Sequence, residues 1–183
     1  MQALLLLGSA APVTAQDPRI AARFPAAVAI RLSSIVDSAG HDGLPTDPLV
    51  LRALEGQVKS ATTEQIVAAM NRLRSALSVS RRTLGADASS VELTTAAAAL
   101  QAGVPENRLV ELHQLRGTLS VTAPLSAYLD LTSRGAAPDA AWDRIATLAK
   151  RHASDAEFGR ITPADVGTKK PGRSGGGPTA EEQ

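Results

Sequence analysis

The chain contains no cysteine and few aromatic residues, and these absences exclude several kinds of chemistry. Without cysteine there is no disulfide, no thiolate nucleophile and no sulfur-ligated metal. The aromatic side chains are four: Phe24, Tyr128, Trp142 and Phe158. Much of the 44% apolar content is alanine, which favours helices but buries little surface. We therefore expect a thin helical core that depends on Leu, Ile and Val.

The sequence also lacks a strong charge of either sign. Its formal net charge is +1, and residues 16–166 hold 16 basic and 16 acidic residues. This balance does not attract the body of the protein to phosphate groups or anionic membranes. The densest basic set lies on one predicted helix but on different faces of it: Arg72, Arg74, Arg81 and Arg82. We expect a protein partner and no nucleic acid.

Motifs that carry catalysis are missing as well. There is no Gly-x-Ser-x-Gly elbow, no phosphate-binding loop with a Gly-Lys-Ser/Thr ending, and no carboxylate pair placed for acid–base work. The one metal-like cluster is His41 with Asp37, Asp42 and Asp47, which lacks the ligand register of a hard-cation loop and is interpreted as a solvated turn. We predict a protein that is not an enzyme, with no cofactor and no metal.

Glycine and proline occur together between the apolar segments of the chain. Gly43-Leu44-Pro45, Gly103-Val104-Pro105 and Gly135-Ala136-Ala137-Pro138 each end one apolar segment and open the next. Glycine suits the position after a helix and proline suits the first turn of the following one. The pattern predicts an all-α fold of seven to eight short helices in antiparallel hairpins, packed as a small solenoid-like array or irregular bundle.

Two glycine intervals are similar in length to the repeating helix pair of tetratricopeptide-type solenoids, so the chain resembles these solenoids in architecture. Gly85 and Gly117 are 32 residues apart, as are Gly103 and Gly135. The Trp, Leu-Gly and Tyr signature positions of that repeat are not present, so the resemblance concerns architecture alone and assigns no family.

Apolar periodicity indicates which side chains face the core. The longest helix, residues 64–84, should bury Ile66, Met70, Leu73 and Leu77 on one face. The best core candidates of the first helix are Ile30, Leu32, Ile35 and Val36. In the helix opened by Pro48, we expect Leu51, Leu54 and Val58 to point inward.

Local signals complete the helix assignments. Ser89 with Glu92, and Ser154 with Glu157, have the spacing of capping boxes. Residues 16–24 are predicted as a loose start, and residues 117–122 as a loop although they alternate like a strand. His113 and Arg116 are placed on the polar side of their helix.

The two ends of the chain differ from its middle. Residues 1–15 carry no charge and place Val13 and Ala15 before Gln16, as in a signal-peptidase site, although a basic n-region is missing and the apolar run is short. A start codon assigned too late would explain this, and a short packed helix is the alternative. We expect residues 16–166 to form a single helical domain, and residues 167–183 a disordered tail.

These observations favour an exported, non-enzymatic helical binding or scaffold protein of the cell envelope, periplasmic or secreted, without a transmembrane segment in the mature chain. One alternative is a cytoplasmic helical protein that binds nucleic acid or regulates a partner. A weaker one is an enzyme whose site is not visible in the sequence. Tyr128 and Trp142 form the candidate binding patch, against the competing interpretation that both rings fill the core.

Overall fold

The structure is a computed structural model that describes residues 17–166. In this range the chain forms nine α-helices and no β-strand, which confirms the all-α fold. No helix within residues 17–166 has the length and apolar content needed to cross a bilayer. The predicted signal peptide and the predicted tail lie outside the described residues.

The chain divides into two compact units, Met1–Ala97 and Ala98–Gln183. The boundary lies inside a helix, and the treatment of residues 16–166 as one domain stays a prediction. The first unit contains α1 (Pro18–Ala21), α2 (Ala26–His41), α3 (Asp47–Val58), α4 (Thr63–Leu84) and the first half of α5 (Ser90–Gln101). Helices α2, α3 and α4 pack on one another, and α1 packs on α2 and α3.

The core face of α4 is as the periodicity predicts. Ile66, Met70, Leu73 and Leu77 are all buried, with exposures of 5% or less. A capping box begins this helix, because the Thr62 hydroxyl accepts from the N–H of Gln65 while the Gln65 side chain accepts from the Thr62 N–H.

The second unit continues with α6 (Glu106–Arg116), α7 (Thr122–Ser133), α8 (Pro138–Lys150), α9 (Asp155–Phe158) and a 3₁₀ turn, Pro163–Asp165. Helix α8 packs on α6 and α7, and α9 packs on α7. The segment from Gly117 to Val121 is a loop, as predicted. Three large aromatic side chains are buried in this unit: Tyr128, Trp142 and Phe158.

The glycines that the sequence predicts at helix ends form Schellman-type caps. After Gly43, Gly103 and Gly135, which have φ values of +67°, +99° and +91°, the next N–H bonds back to a carbonyl five residues earlier. The residues that donate are Leu44, Val104 and Ala136, all buried. Ser60 and His152 adopt the same left-handed conformation without being glycine, with φ values of +55° and +54°.

One helix more is present than the sequence predicts. The predicted loose start contains α1, because Pro18 suits a first turn and the Asp17 carboxylate accepts from the N–H of Arg19. Ile20 is fully buried and holds this short helix to the unit.

Two assignments of helix faces are wrong. Ile30 of α2 is 60% exposed, whereas Leu32, Ile35 and Val36 are buried. In α3 the predicted inward residues Leu51 and Val58 are 58% and 82% exposed. The core side of α3 consists instead of Leu49, Val50 and Ala53. Helix α3 therefore has two apolar faces, and packing buries the one that the periodicity did not favour.

Candidate functional site

An open groove of about 520 Å³ lies in the first unit, between the turn that leads into α3 and the beginning of α5. One wall consists of Leu44, Pro45, Thr46, Asp47 and Pro48, and the other of Ser90, Val91, Thr94 and Thr95. Apolar atoms provide most of its surface. We call this depression the groove.

The first wall of the groove is rigid for local reasons. The left-handed conformation of Gly43 lets the Leu44 N–H bond to the carbonyl of Ala39 at 2.9 Å, and the Leu44 side chain is buried. Two prolines follow at positions 45 and 48, and Pro48 lies in the first turn of α3. Proline has a fixed φ, so little conformational entropy remains for a ligand to remove.

The second wall begins with the capping box that the sequence predicts. The Ser89 hydroxyl accepts from the Glu92 N–H at 3.2 Å, and the Glu92 carboxylate accepts from the Ser89 N–H at 3.1 Å. This box fixes the first turn of α5 and leaves Val91 63% exposed. The groove thus presents an exposed valine on a well-anchored helix.

Arg81, in the last turn of α4, connects the two walls. Its Nη2 donates to the Gly43 carbonyl at 2.9 Å, just before the first wall. Its Nη1 donates to the carbonyls of Ala86 at 2.6 Å and Ala88 at 3.2 Å, in the loop before the second wall. The sequence shows Arg81 only as one member of the basic set, and its role as a bridge requires the tertiary structure. No pattern along the chain indicates that Gly43 and Ala88 lie close together.

The hydroxyl groups of Thr94 and Thr95 in the groove can accept hydrogen bonds but have little left to donate. Thr94 Oγ1 donates to the Ser90 carbonyl at 2.7 Å, and Thr95 Oγ1 donates to the Val91 carbonyl at 2.8 Å. Each hydroxyl proton is used within α5, while the oxygen lone pairs stay available. The groove therefore suits an apolar ligand that carries hydrogen-bond donors.

The carboxylate at the edge of the groove is paired with an arginine. Asp47 Oδ1 accepts from Arg19 Nη2 at 2.6 Å, and the same nitrogen bonds to Asp17 Oδ2 at 2.8 Å. These partners raise the pKa of Arg19, and the hydrogen bond from Arg19 lowers the pKa of Asp17. Because one guanidinium faces two carboxylates, this edge of the groove keeps one net negative charge.

The residues of the predicted metal-like cluster contact different parts of the structure and do not converge on one site. Asp42 bonds to Arg74 at 2.7 Å, and Asp47 bonds to Arg19. Asp37 and His41 line a separate polar depression of about 350 Å³. Within residues 17–166, no three acidic or histidine side chains are arranged to hold a metal ion.

Arg74 and Arg81 of the basic set on α4 have internal partners. Arg74 bonds to Asp42, and Arg81 bonds to four carbonyls of the first unit. A guanidinium held in this way is less able to neutralise a phosphate, because it would first have to release its own partners.

Tyr128 and Trp142 lie together, as their helices suggest, but both are buried. Their exposures are 2% and 3%, and the rings meet edge to face with centroids 5.8 Å apart at 76°. Burial raises the pKa of the Tyr128 hydroxyl. The guanidinium of Arg108 lies 5.6 Å from the Trp142 ring and bonds to Asp139. This burial favours the core-filler interpretation, and use of the pair as a binding patch stays a prediction.

The sequence predicts that Arg116 lies on the polar side of its helix, and this prediction is wrong. Its side chain is buried, with an exposure of 2%. Burial is tolerated because the guanidinium donates to the carbonyls of Ser120 and Ala153 and to the Asp155 carboxylate, at 3.0, 2.8 and 2.5 Å. It also lies 5.3 Å from the Phe158 ring. All these contacts lie within the second unit, so the role of Arg116 is structural.

Comparison with protein-family models, curated proteins and solved structures gives no match to this chain. Function must therefore be argued from the geometry of the chain itself. Of the surfaces described above, the groove combines an anchored frame, apolar lining and available hydrogen-bond acceptors. The side chains of Arg81 and Arg116 donate their hydrogen bonds to loops and helix ends of the protein itself.

Proposed function

We propose that this chain is a non-enzymatic binding or scaffold module of the cell envelope, and that the groove holds an apolar segment of a partner protein. The observation that carries the proposal is the groove itself: two walls joined by Arg81, with Val91 exposed between hydroxyl oxygens. Export rests on the signal-peptide pattern that ends at Ala15.

The lining of the groove defines the chemistry of the partner. Pro45, Pro48 and Val91 offer apolar contact, which is the main source of affinity for a mostly apolar groove. Thr94 and Thr95 offer acceptors, so the partner should carry N–H or O–H donors beside its apolar side chains. An apolar peptide segment with exposed amides or with Asn, Gln or Ser meets both requirements.

Peptide display tests this proposal. Random linear peptides are selected against the immobilised full chain, and the enriched peptides are measured by titration. We expect apolar sequences interspersed with donors. Val91→Asp should weaken their binding at least about tenfold, because it places an unpaired carboxylate in an apolar site. The matched control is Val110→Asp on α6, where the valine is also exposed. Failure to enrich peptides, or equal binding to both variants, would contradict the proposal.

The nucleic-acid alternative is separated by the salt dependence of binding. A duplex DNA probe titrated at low and high salt should show no appreciable affinity for the chain. Affinity that falls steeply with salt, and that is lost on Arg72→Ala, would instead support a nucleic-acid partner.

A further inference from the structure

Helix α3 carries an apolar stripe that the rest of the described first unit leaves uncovered. Leu51 and Val58 are 58% and 82% exposed, and Leu54 between them is half-buried. Their spacing of three and four residues places them on one line along the helix. We call these three residues the outer stripe. An exposed leucine and an exposed valine in line with a half-buried leucine form a larger apolar surface than a single exposed side chain does, which makes this face a candidate for protein contact.

The outer stripe is bordered by a row of charges on one side. Arg52, Glu55 and Lys59 repeat the same spacing one position further along the chain. Glu55 accepts from Lys59 Nζ at 2.6 Å, whereas the Arg52 guanidinium stays 3.7 Å from Glu55, beyond hydrogen-bond distance. Arg52 therefore keeps donors for a carboxylate outside its own helix. We call this row the charged flank.

The charges on the flanks of two antiparallel copies are complementary, since the positive Arg52 of one copy can face the negative Glu55 of the other. When two copies of α3 meet face to face and antiparallel, a twofold axis across the helices brings the same flank of each copy together. With the axis at the level midway between Arg52 and Glu55, near residues 53 and 54, each Arg52 then faces the Glu55 of the other copy.

We propose that the outer stripe is the contact surface of a homodimer, in which α3 packs antiparallel on α3 of a second copy. The apolar stripes bury each other, and the Arg52–Glu55 pairs form twice, which selects the antiparallel orientation. In a parallel pair the Arg52–Glu55 pairs could not form, because the charged flank of one copy would lie toward the other side of the stripe, where Arg19 and Arg23 border Leu54 and Val58. This interface is separate from the groove and requires no ligand.

Sedimentation of the full chain over a dilution series tests the dimer directly. The wild-type chain should pass from dimer to monomer as it is diluted. Leu51→Lys should raise the dissociation constant at least about tenfold, since the change occurs twice at the twofold axis. The matched control is Leu119→Lys, which alters a leucine of similar exposure in the second unit. A chain that is monomeric throughout, or variants with equal effects, would overturn the proposal.

A charge exchange tests the orientation. Arg52→Glu and Glu55→Arg each place like charges opposite each other, and each variant alone should dimerise at least about tenfold more weakly than the wild type. Mixing the two variants should restore association, because two acidic side chains on the flank of one copy then face two basic side chains on the flank of the other. Helical content measured by circular dichroism checks that both variants fold. If the mixture associates no better than the separate variants, the antiparallel arrangement is wrong.

Discussion

The side chain of Arg116 ties together three segments of the second unit: the loop at Ser120, the turn after α8 at Ala153 and the start of α9 at Asp155. A buried guanidinium is tolerated when each of its edges has a partner, and Phe158 covers one face of the group. Without the guanidinium, the carbonyls of Ser120 and Ala153 have no donor.

Arg116→Ala should therefore destabilise the protein by about 2–6 kcal/mol, because each of the two carbonyls left without its donor costs about 1–3 kcal/mol. Asp155→Ala should cost about 1 kcal/mol or less, because that carboxylate is 61% exposed and water replaces its partner. Urea unfolding of both variants measures the difference. Equal effects would mean that the ion pair, and not the carbonyl contacts, explains the role of Arg116.

Glu157 makes a separate contribution that depends on pH. The Ser154 N–H and hydroxyl donate to its carboxylate, and these bonds, with Arg151 nearby, lower its pKa below the usual 4.5. A carboxyl whose pKa is lower in the folded state stabilises the fold above its unfolded pKa. That contribution disappears as the pH falls through the folded pKa.

Stability measured by urea unfolding should consequently fall between about pH 5 and pH 3, and Glu157→Gln should reduce this fall. Glu111→Gln, a change of the same kind inside α6, is the control and should leave the pH dependence closer to the wild type. A pH dependence that is the same in Glu157→Gln as in the wild type would contradict a role for the capping carboxylate.

At the scale of helices, α3 and α4 lie in close contact at Gly56. A Cβ atom built at this position would lie 2.6 Å from Cγ1 of Ile66, which is 3% exposed. Glycine inside a helix is unfavourable by itself. The contact with Ile66 gives the reason for a glycine here, since a larger side chain would displace Ile66 or push the two helices apart.

Gly56→Ala should destabilise the protein by about 1–3 kcal/mol through overpacking, although alanine is the better helix former. In an Ile66→Ala background the same change should cost much less, because the opposing methylene is gone. A double-mutant cycle from urea unfolding measures this coupling. Additive effects of the two substitutions would show that Gly56 and Ile66 do not constrain each other.

For the whole molecule, the open question is where the mature chain begins. We proposed export from the pattern that ends at Ala15, and this predicts a mature protein whose first residue is Gln16. Intact mass measured on protein from the native host, together with cell fractionation, checks the start and the compartment in one experiment. A Met1 species recovered from the cytosol would instead favour the packed N-terminal helix.

Helix boundaries of this protein follow from neighbouring residues, and the sequence predicts them well. Gly43, Gly103 and Gly135 take the left-handed conformation after their helices, and the boxes at Ser89 and Ser154 form as expected. These features involve residues three to five positions apart, so local chemistry is sufficient. The helical-repeat interpretation concerns longer distances and stays a prediction.

Tertiary packing decided which faces are buried and which residues form the groove. Helix α3 offers two apolar faces, and only contact with its neighbours α1 and α4 selects Leu49, Val50 and Ala53 over the outer stripe. The groove joins residues more than forty positions apart through Arg81, and no period along the chain indicates such a contact. The sequence by itself determined where every helix except α1 begins and ends, because caps and turns are local. Only the folded structure decided what each face contacts, because burial depends on the surfaces that other helices present.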